Sequence, residues 1–244
     1  MYILYHHPYS QHSRRVVALL EEAGLEYEVR QVALDKGEQI SPAYLAINPN
    51  HQIPALIDGA IKIFESNAIL RYLCHKHRLS TWYPEELARR ALVEQWLDWN
   101  QCHLARPVID VVFNKVFLGP KGDREAIARG EARVAELAPI LQAGLEDCAF
   151  LSGETPTIAD LSVASNFTQL SLAGTMPQQP RIGDWFRRVG ALEGRQARPR
   201  AHRDERRVRL MECALASVAA VFALRRRAST RRTPSNKRTN TPID

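Results

Sequence analysis

The sequence predicts a two-part architecture, α/β followed by all-α. A small mixed sheet is layered with helices in the order βαβαββα, and only helices follow. Three observations carry this reading. Strand-like runs are confined to the first 64 residues, a tight-turn dipeptide sits between two of them, and from Glu85 onward apolar residues recur at helical spacing.

Tyr2–Tyr5 reads as a short buried strand, and a loop containing Pro8 follows it. From Gln11 to Leu25, Val16, Leu19, Leu20 and Ala23 fall on one helical face, and Gly24 stands where a left-handed C-terminal cap belongs. Tyr27–Val32 alternates as a half-buried strand does, Lys36-Gly37 marks a turn, and Pro42–Ile47 forms a short helical segment. Ala55-Leu56-Ile57 and Ala60–Ile63 flank Asp58-Gly59, a hairpin signal whose tight turn calls for positive φ at both central residues. A helix over Asn67–His77 places Ala68, Ile69, Tyr72 and Leu73 together. Further helices are predicted over Glu85–Val116, bent at Pro107, over Asp123–Leu145, and over Arg181–Leu192 with Ile182, Trp185, Phe186 and Val189 inward. Between the last two, Thr157-x-x-Asp160 opens an apolar run as a capping box, with Asp160 at the positive end of the helix dipole. The expected units are therefore 1–78, a linker at 79–84, and 85–194.

Composition narrows the function classes. The 244 residues are 45% apolar, enough for a sizeable core. Cys74, Cys102, Cys148 and Cys213 lie far apart, without a C-x-x-C pair or zinc spacing, which argues against a disulfide framework and fits a reducing cytoplasm. Met1–Tyr5 leads directly into His6, His7 and Pro8, unlike a secretory signal. His6-His7 and His75-x-His77 do not direct paired ligands at one ion, so no metal is expected. Neither a P-loop nor a G-x-G-x-x-G run is present. The net charge of +6 divides unevenly: residues 195–244 hold 14 Lys+Arg against 4 Asp+Glu, leaving 19 against 23 in residues 1–194. With an acidic body, no nucleic-acid partner is expected. In the tail, Arg195–Arg209 has no periodicity, and Arg225–Asp244 has the composition of a disordered segment. Leu210–Leu224 is apolar but shorter than the roughly 17–25 residues of a membrane span. No membrane is expected, although basic residues flanking that run suit a helix lying on an acidic surface.

Several motifs then align in order. Tyr5–Val16 contains Pro8 and Ser10-Gln11-x-x-Arg14. Asn48-Pro49-Asn50-His51-Gln52-Ile53-Pro54-Ala55-Leu56 and Glu65-Ser66-x-Ala68-Ile69-x-x-Tyr72-Leu73 follow, then Trp82-Tyr83-Pro84, Trp96–Trp99, Thr157–Leu161 and Pro180–Val189. This series resembles the glutathione transferases, the theta class in particular, over about residues 1–194. The resemblance implies a thioredoxin-like first domain, glutathione as co-substrate, a small electrophile as second substrate, and a homodimer crossed by the long helices.

It also implies roles for individual residues. A free thiol with a pKa near ~8.5 is little ionised at neutral pH. Ser10 stands where the loop enters the first helix, so its hydroxyl and the helix N-terminus can both stabilise a thiolate. The resemblance makes Ser10 the catalytic residue; capping of that helix is the plainer reading, with Ser13 second and Tyr5 third among candidates. Pro54 matches a cis proline that leaves the main chain of Ile53 to pair with the cysteinyl unit as an added strand would. Glu65 and Ser66 match the pair that grips the γ-glutamyl end, against a reading of Ser66 as an ordinary cap. Gln52 and Gln39 match positions at the glycyl end, with Gln39 standing where relatives often carry histidine.

The implied reaction is addition of glutathione thiolate to an electrophilic carbon, with halide displacement as one form. A thiol–disulfide oxidoreductase on the same fold calls for a cysteine within Pro8–Ser13, and none is there. The alternative from another class is a non-catalytic glutathione-binding or interaction module disabled by its altered C-terminus. The abrupt change after Gly194 has the character of a reading-frame change in a GC-rich gene.

Overall fold

The computed structural model describes residues 1–192, so the arginine-rich and apolar segments of the tail lie outside the described residues. The first unit runs β1 (Tyr2–His6), α1 (Gln11–Glu22), β2 (Tyr27–Gln31), α2 (Pro42–Leu45), β3 (Ala55–Asp58), β4 (Ile61–Phe64) and α3 (Ser66–Lys76). This is the expected βαβαββα order. The sheet is ordered β2-β1-β3-β4, with β1 parallel to β2 and antiparallel to β3, and β3 antiparallel to β4. The period of two along β1 turns Tyr2, Leu4 and His6 inward. Leu4 then packs in one core with Val16, Leu19 and Leu20 of α1 and with Ile69 and Leu73 of α3.

Two turns show how local chemistry ends these elements. Gly24 adopts φ +61°, and the Leu25 N–H returns to the Leu20 carbonyl at 2.9 Å, closing α1 as its sequence predicts. The β3–β4 hairpin departs from expectation. Asp58 pairs with Ile61, so the two turn residues are Gly59 and Ala60 rather than Asp58 and Gly59. Of these only Gly59 has positive φ, at +59°. Asp58 stays in the strand, where its carboxylate accepts from the Tyr72 hydroxyl at 2.6 Å and from Lys76.

The second unit is helical: α4 (Leu87–Trp99), α5 (Ala105–Val112), α6 (Arg124–Gly144), α7 (Ile158–Ala173) and α8 (Pro180–Gly190). Around Pro107 the chain stays helical and widens into π-turns at Asn100–Leu104 and Phe113–Phe117, on either side of α5. Pro107 has no N–H to give the carbonyl four residues back, at His103, and the first π-turn falls there.

Helix α7 is the centre of the molecule; of its residues, only Thr168, Ser171 and Leu172 escape burial. Its start is the expected capping box. The fully buried Asp160 accepts from the Thr157 N–H at 2.8 Å, and also from the Leu151 N–H at 2.9 Å and Trp185 Nε1 at 2.8 Å. One carboxylate therefore ties the α7 N-terminus to α8 and to the preceding loop. No helix among the described residues is long and apolar enough to cross a membrane.

A buried polar network joins the two units. Arg15 of α1, wholly buried, donates to Ser165 Oγ at 3.1 Å, Ser162 Oγ at 2.7 Å and Asn67 Oδ1 at 3.2 Å. Ser162 also accepts from Asn100 Nδ2 at 3.1 Å and donates to Asn67 Oδ1 at 2.9 Å, which uses its one proton and both lone pairs. Asn67 donates onward to the Leu97 carbonyl at 3.3 Å. Four helices from the two units thus share one set of hydrogen bonds.

Close approach of α5 and α6 depends on Gly130. A Cβ there would lie 2.7 Å from Val111 Cγ2 and 2.8 Å from the Pro107 carbonyl oxygen. Gly130→Ala is expected to cost roughly 1–3 kcal/mol by overpacking. Gly183→Ala, whose Cβ meets nothing within 4 Å, is expected to gain up to about 1 kcal/mol from helix propensity. Urea midpoints of the two variants check the pair, and equal shifts would contradict the packing argument.

Candidate functional site

Sheet register gathers the site. Tyr5 of β1 pairs with Ala55 of β3, and Ala55 pairs with Phe64 of β4. The loop after β1, the residues before β3 and the residues after β4 therefore emerge at one end of the sheet. Since β2 is parallel to β1, the segment carrying Gln39 leaves from that end too.

The loop after β1 ends at Ser10, the N-cap of α1, whose Oγ accepts from the Ser13 N–H at 3.2 Å. Capping of this kind uses an oxygen lone pair and leaves the hydroxyl proton free to be donated elsewhere. Ser10 therefore caps the helix without losing its donor. Ser13 is buried, with its Oγ 3.5 Å from the His7 N–H. Tyr5 is occupied elsewhere: its hydroxyl accepts from Arg30 Nη1 at 3.1 Å, and its ring stands edge-on to Tyr44 near α2. The helical unit reaches this loop through Gln169, whose Nε2 donates to the Tyr9 carbonyl at 2.5 Å. The Tyr9 ring meets Phe117, of the second π-turn, edge-on at 6.1 Å between centroids.

Before β3, the Ile53–Pro54 bond is cis. Two buried side chains hold the preceding turn: the Tyr44 hydroxyl and Asn48 Nδ2 both donate to the Gln52 carbonyl, at 2.6 and 2.7 Å. Asn48 Oδ1 accepts from the Asn50 N–H at 3.0 Å. The main-chain N–H and C=O of Ile53 have no backbone partner among the described residues, so they stay available to an extended peptide.

After β4, Glu65 takes φ +68° and ψ 112°, a conformation costing on the order of 1–3 kcal/mol for a residue with a Cβ. Glu65, not Ser66, is the N-cap of α3, and no side chain caps the helix. The buried Ser66 opens its first turn. Uncapped N–H groups, a hydroxyl and the positive end of the dipole are groups able to hold a carboxylate.

A polar cleft brings together five of the expected residues: Gln52, Ile53, Pro54, Glu65 and Ser66. Ser10 and Gln39 are not among its lining residues. Gln39 is buried in the 3-10 turn Glu38–Ile40, with its Oε1 unpaired among the described residues. Three further lining residues, His12, Asn48 and Gln101, had no role in the sequence reading. Asn48 lies within a motif already quoted, and its clamp on Gln52 depends on the fold. His12 follows the serine directly enough to have been weighed. Gln101 comes from the first π-turn, and nothing local in the sequence relates it to residues near position 50. Burial, aided by the charge of Arg15, pushes the His12 imidazole down to about 3, so the ring is neutral at physiological pH.

The cleft therefore offers one carboxylate, a hydroxyl, amide side chains, free main-chain groups at Ile53 and a helix N-terminus. The sequence family described as "Glutathione S-transferase, N-terminal domain" matches residues 1–75. Glutathione S-transferase theta-1 of Mus musculus is 34% identical over 205 residues, covering 79% of this chain and 84% of that protein. Glutathione S-transferase F10 of Arabidopsis thaliana is 39% identical over 157 residues, covering 62% and 72%. Among solved structures, the theta-class glutathione S-transferase of Xanthomonas axonopodis pv. citri with glutathione bound superposes with a TM-score of 0.74. It is 29% identical and covers 80% of this chain and 95% of that one.

Proposed function

The chain belongs to the glutathione S-transferase family, and from that premise we propose that it binds glutathione in the cleft at the end of its sheet and transfers the thiolate to an electrophilic carbon. The observation that carries this reading is the meeting of three segments in one cleft: the turn before cis-Pro54, the strained Glu65, and the uncapped start of α3. The main chain of Ile53 pairs with the cysteinyl unit. Ser66 and the first N–H groups of α3 take the γ-glutamyl carboxylate, with Glu65 beside them. Gln52 and Gln39 serve the glycyl end. Ser10 donates a hydrogen bond to the sulfur, lowering its pKa by favouring the charged form. The thiolate attacks carbon while the leaving group departs with the bonding pair; where the leaving group is a halide, the products are a thioether and halide ion.

In this reading residues 1–78 supply the glutathione half, 79–84 the linker, and the helical unit from residue 85 the electrophile half, with Tyr9 and Phe117 where the two meet. Exposed Leu87 and Leu92 on α4 support a homodimer covering that helix, and a reducing cytoplasm suits the three free cysteines among the described residues.

Retention on immobilised glutathione, with elution by free glutathione, tests the binding step. The wild-type protein should be retained, and a Ser66→Ala, Gln52→Ala double variant should pass through. A folded wild-type protein that is not retained would refute the reading. Retention without turnover on any haloalkane or nitroaryl halide would instead favour the non-catalytic binding module.

A further inference from the structure

The expected γ-glutamyl contacts account for a carboxylate better than for the ammonium group beside it. An ammonium offers three donors and needs three acceptors when it leaves water. Glu65 supplies one carboxylate, and it is the only formally charged side chain lining the cleft. Two further acceptors line the same cleft from different elements: His12 from the first turn of α1 and Gln101 from the π-turn after α4.

His12 and Ser66 line the same cleft, and the packing of α1 gives a reason. His12 and Arg15 are three residues apart and so share a face of α1. Arg15 donates to Asn67, the residue directly after Ser66. The histidine on that face therefore overlooks the start of α3. No hydrogen bond joins its ring to another described residue, whereas the Arg15 guanidinium is bonded to Ser162, Ser165 and Asn67.

We propose that His12 is a specificity-determining residue of the glutathione cleft, accepting a hydrogen bond from the α-ammonium of the γ-glutamyl unit. This rests on the glutathione reading above. Neutrality suits the role: a neutral imidazole keeps one nitrogen as an acceptor, and a protonated ring would offer only donors. Burial next to Arg15 holds the ring in that neutral form. Glu65 provides charge, His12 and Gln101 provide direction, and a ligand lacking the amino group would leave all three unmatched.

The test compares glutathione with its des-amino analogue, glutaryl-cysteinylglycine, by titration calorimetry. The wild-type protein should bind glutathione at least about 100-fold more tightly, because the analogue leaves more than one hydrogen bond to a charged group unmade. His12→Phe keeps an aromatic ring without an acceptor. It should bind glutathione about 10-fold more weakly than wild type and bind the analogue as wild type does, so that the preference falls by about 10-fold. His12→Asn, which restores an acceptor, should recover part of it. A His12→Phe protein that keeps the full preference would overturn the proposal. Independently of any variant, the 15N resonance of the His12 acceptor nitrogen should move when glutathione is added to the wild-type protein and stay in place with the analogue. Equal response to both would also overturn it. Failure of the wild-type protein to bind glutathione at all would refute the glutathione reading itself, a separate result.

Discussion

Asp160→Ala should lower the stability of the protein by on the order of 4 kcal/mol. Loss of a helix cap costs about 1 kcal/mol. Asp160 is also the acceptor for the Leu151 N–H and for Trp185 Nε1, both in the buried interior. A buried donor left without its acceptor costs about 1–3 kcal/mol. In a chain of this size the sum corresponds to a fall in melting temperature of roughly 8–16 °C. Asp160→Asn should fall between, because it keeps one carbonyl oxygen but turns an amide N–H toward donors. Urea unfolding followed by tryptophan fluorescence measures both, with Trp185 reporting from the contact itself. A loss below about 1 kcal/mol for the alanine variant would mean that α7 starts securely without this carboxylate.

The second large effect is chemical. Ser10→Ala should reduce kcat/KM at neutral pH by roughly 10- to 100-fold, matching the 1.5–3 kcal/mol of a hydrogen bond to a charged acceptor. The sign of the pH effect follows from which form the hydroxyl favours. A donor to the thiolate lowers the thiol pKa, so its removal raises that pKa by about 1–2 units. The rate of the variant should therefore rise through neutral pH into the alkaline range and approach the wild-type rate where both thiols are ionised. Direct ultraviolet titration of the bound thiolate should show the same displacement. Ser10 also caps α1, so a stability loss of about 1 kcal/mol should accompany the change. A variant that is less stable but has an unmoved pH profile would leave Ser10 as a cap and nothing more.

Much of this was legible in the chain before any coordinates, and the reasons can be stated residue by residue. Gly24, Thr157 and Asp160 were readable because their signals are local: a cap is a property of five or six consecutive residues. The order of strands and helices was readable from periodicity. The hairpin turn was misplaced by one residue because Asp58-Gly59 satisfies the local rule, while pairing of Asp58 with Ile61 is fixed by register across the sheet. The π-turns on either side of α5 are not legible, because Pro107 marks an interrupted helix without saying how the backbone widens around it. Five of the seven expected site residues meet in one cleft, whereas His12 and Gln101 escaped notice. Gln101 belongs to the cleft only because α4 and its π-turn pack beside the first unit, a contact between segments about 50 residues apart in sequence.

The network around Arg15 bears on the order in which the protein is made. Two of its partners, Ser162 and Ser165, come 147 and 150 residues later in the chain. During synthesis every strand and helix of the first unit has emerged long before α7 leaves the ribosome. Until then a guanidinium destined for the interior keeps its water, and the faces of α1 and α3 that α7 will cover stay bare. The first unit is therefore encoded in the first third of the chain but finished by α7. A nascent chain halted before Ser162 would carry every residue expected in the cleft except a settled platform to hold them.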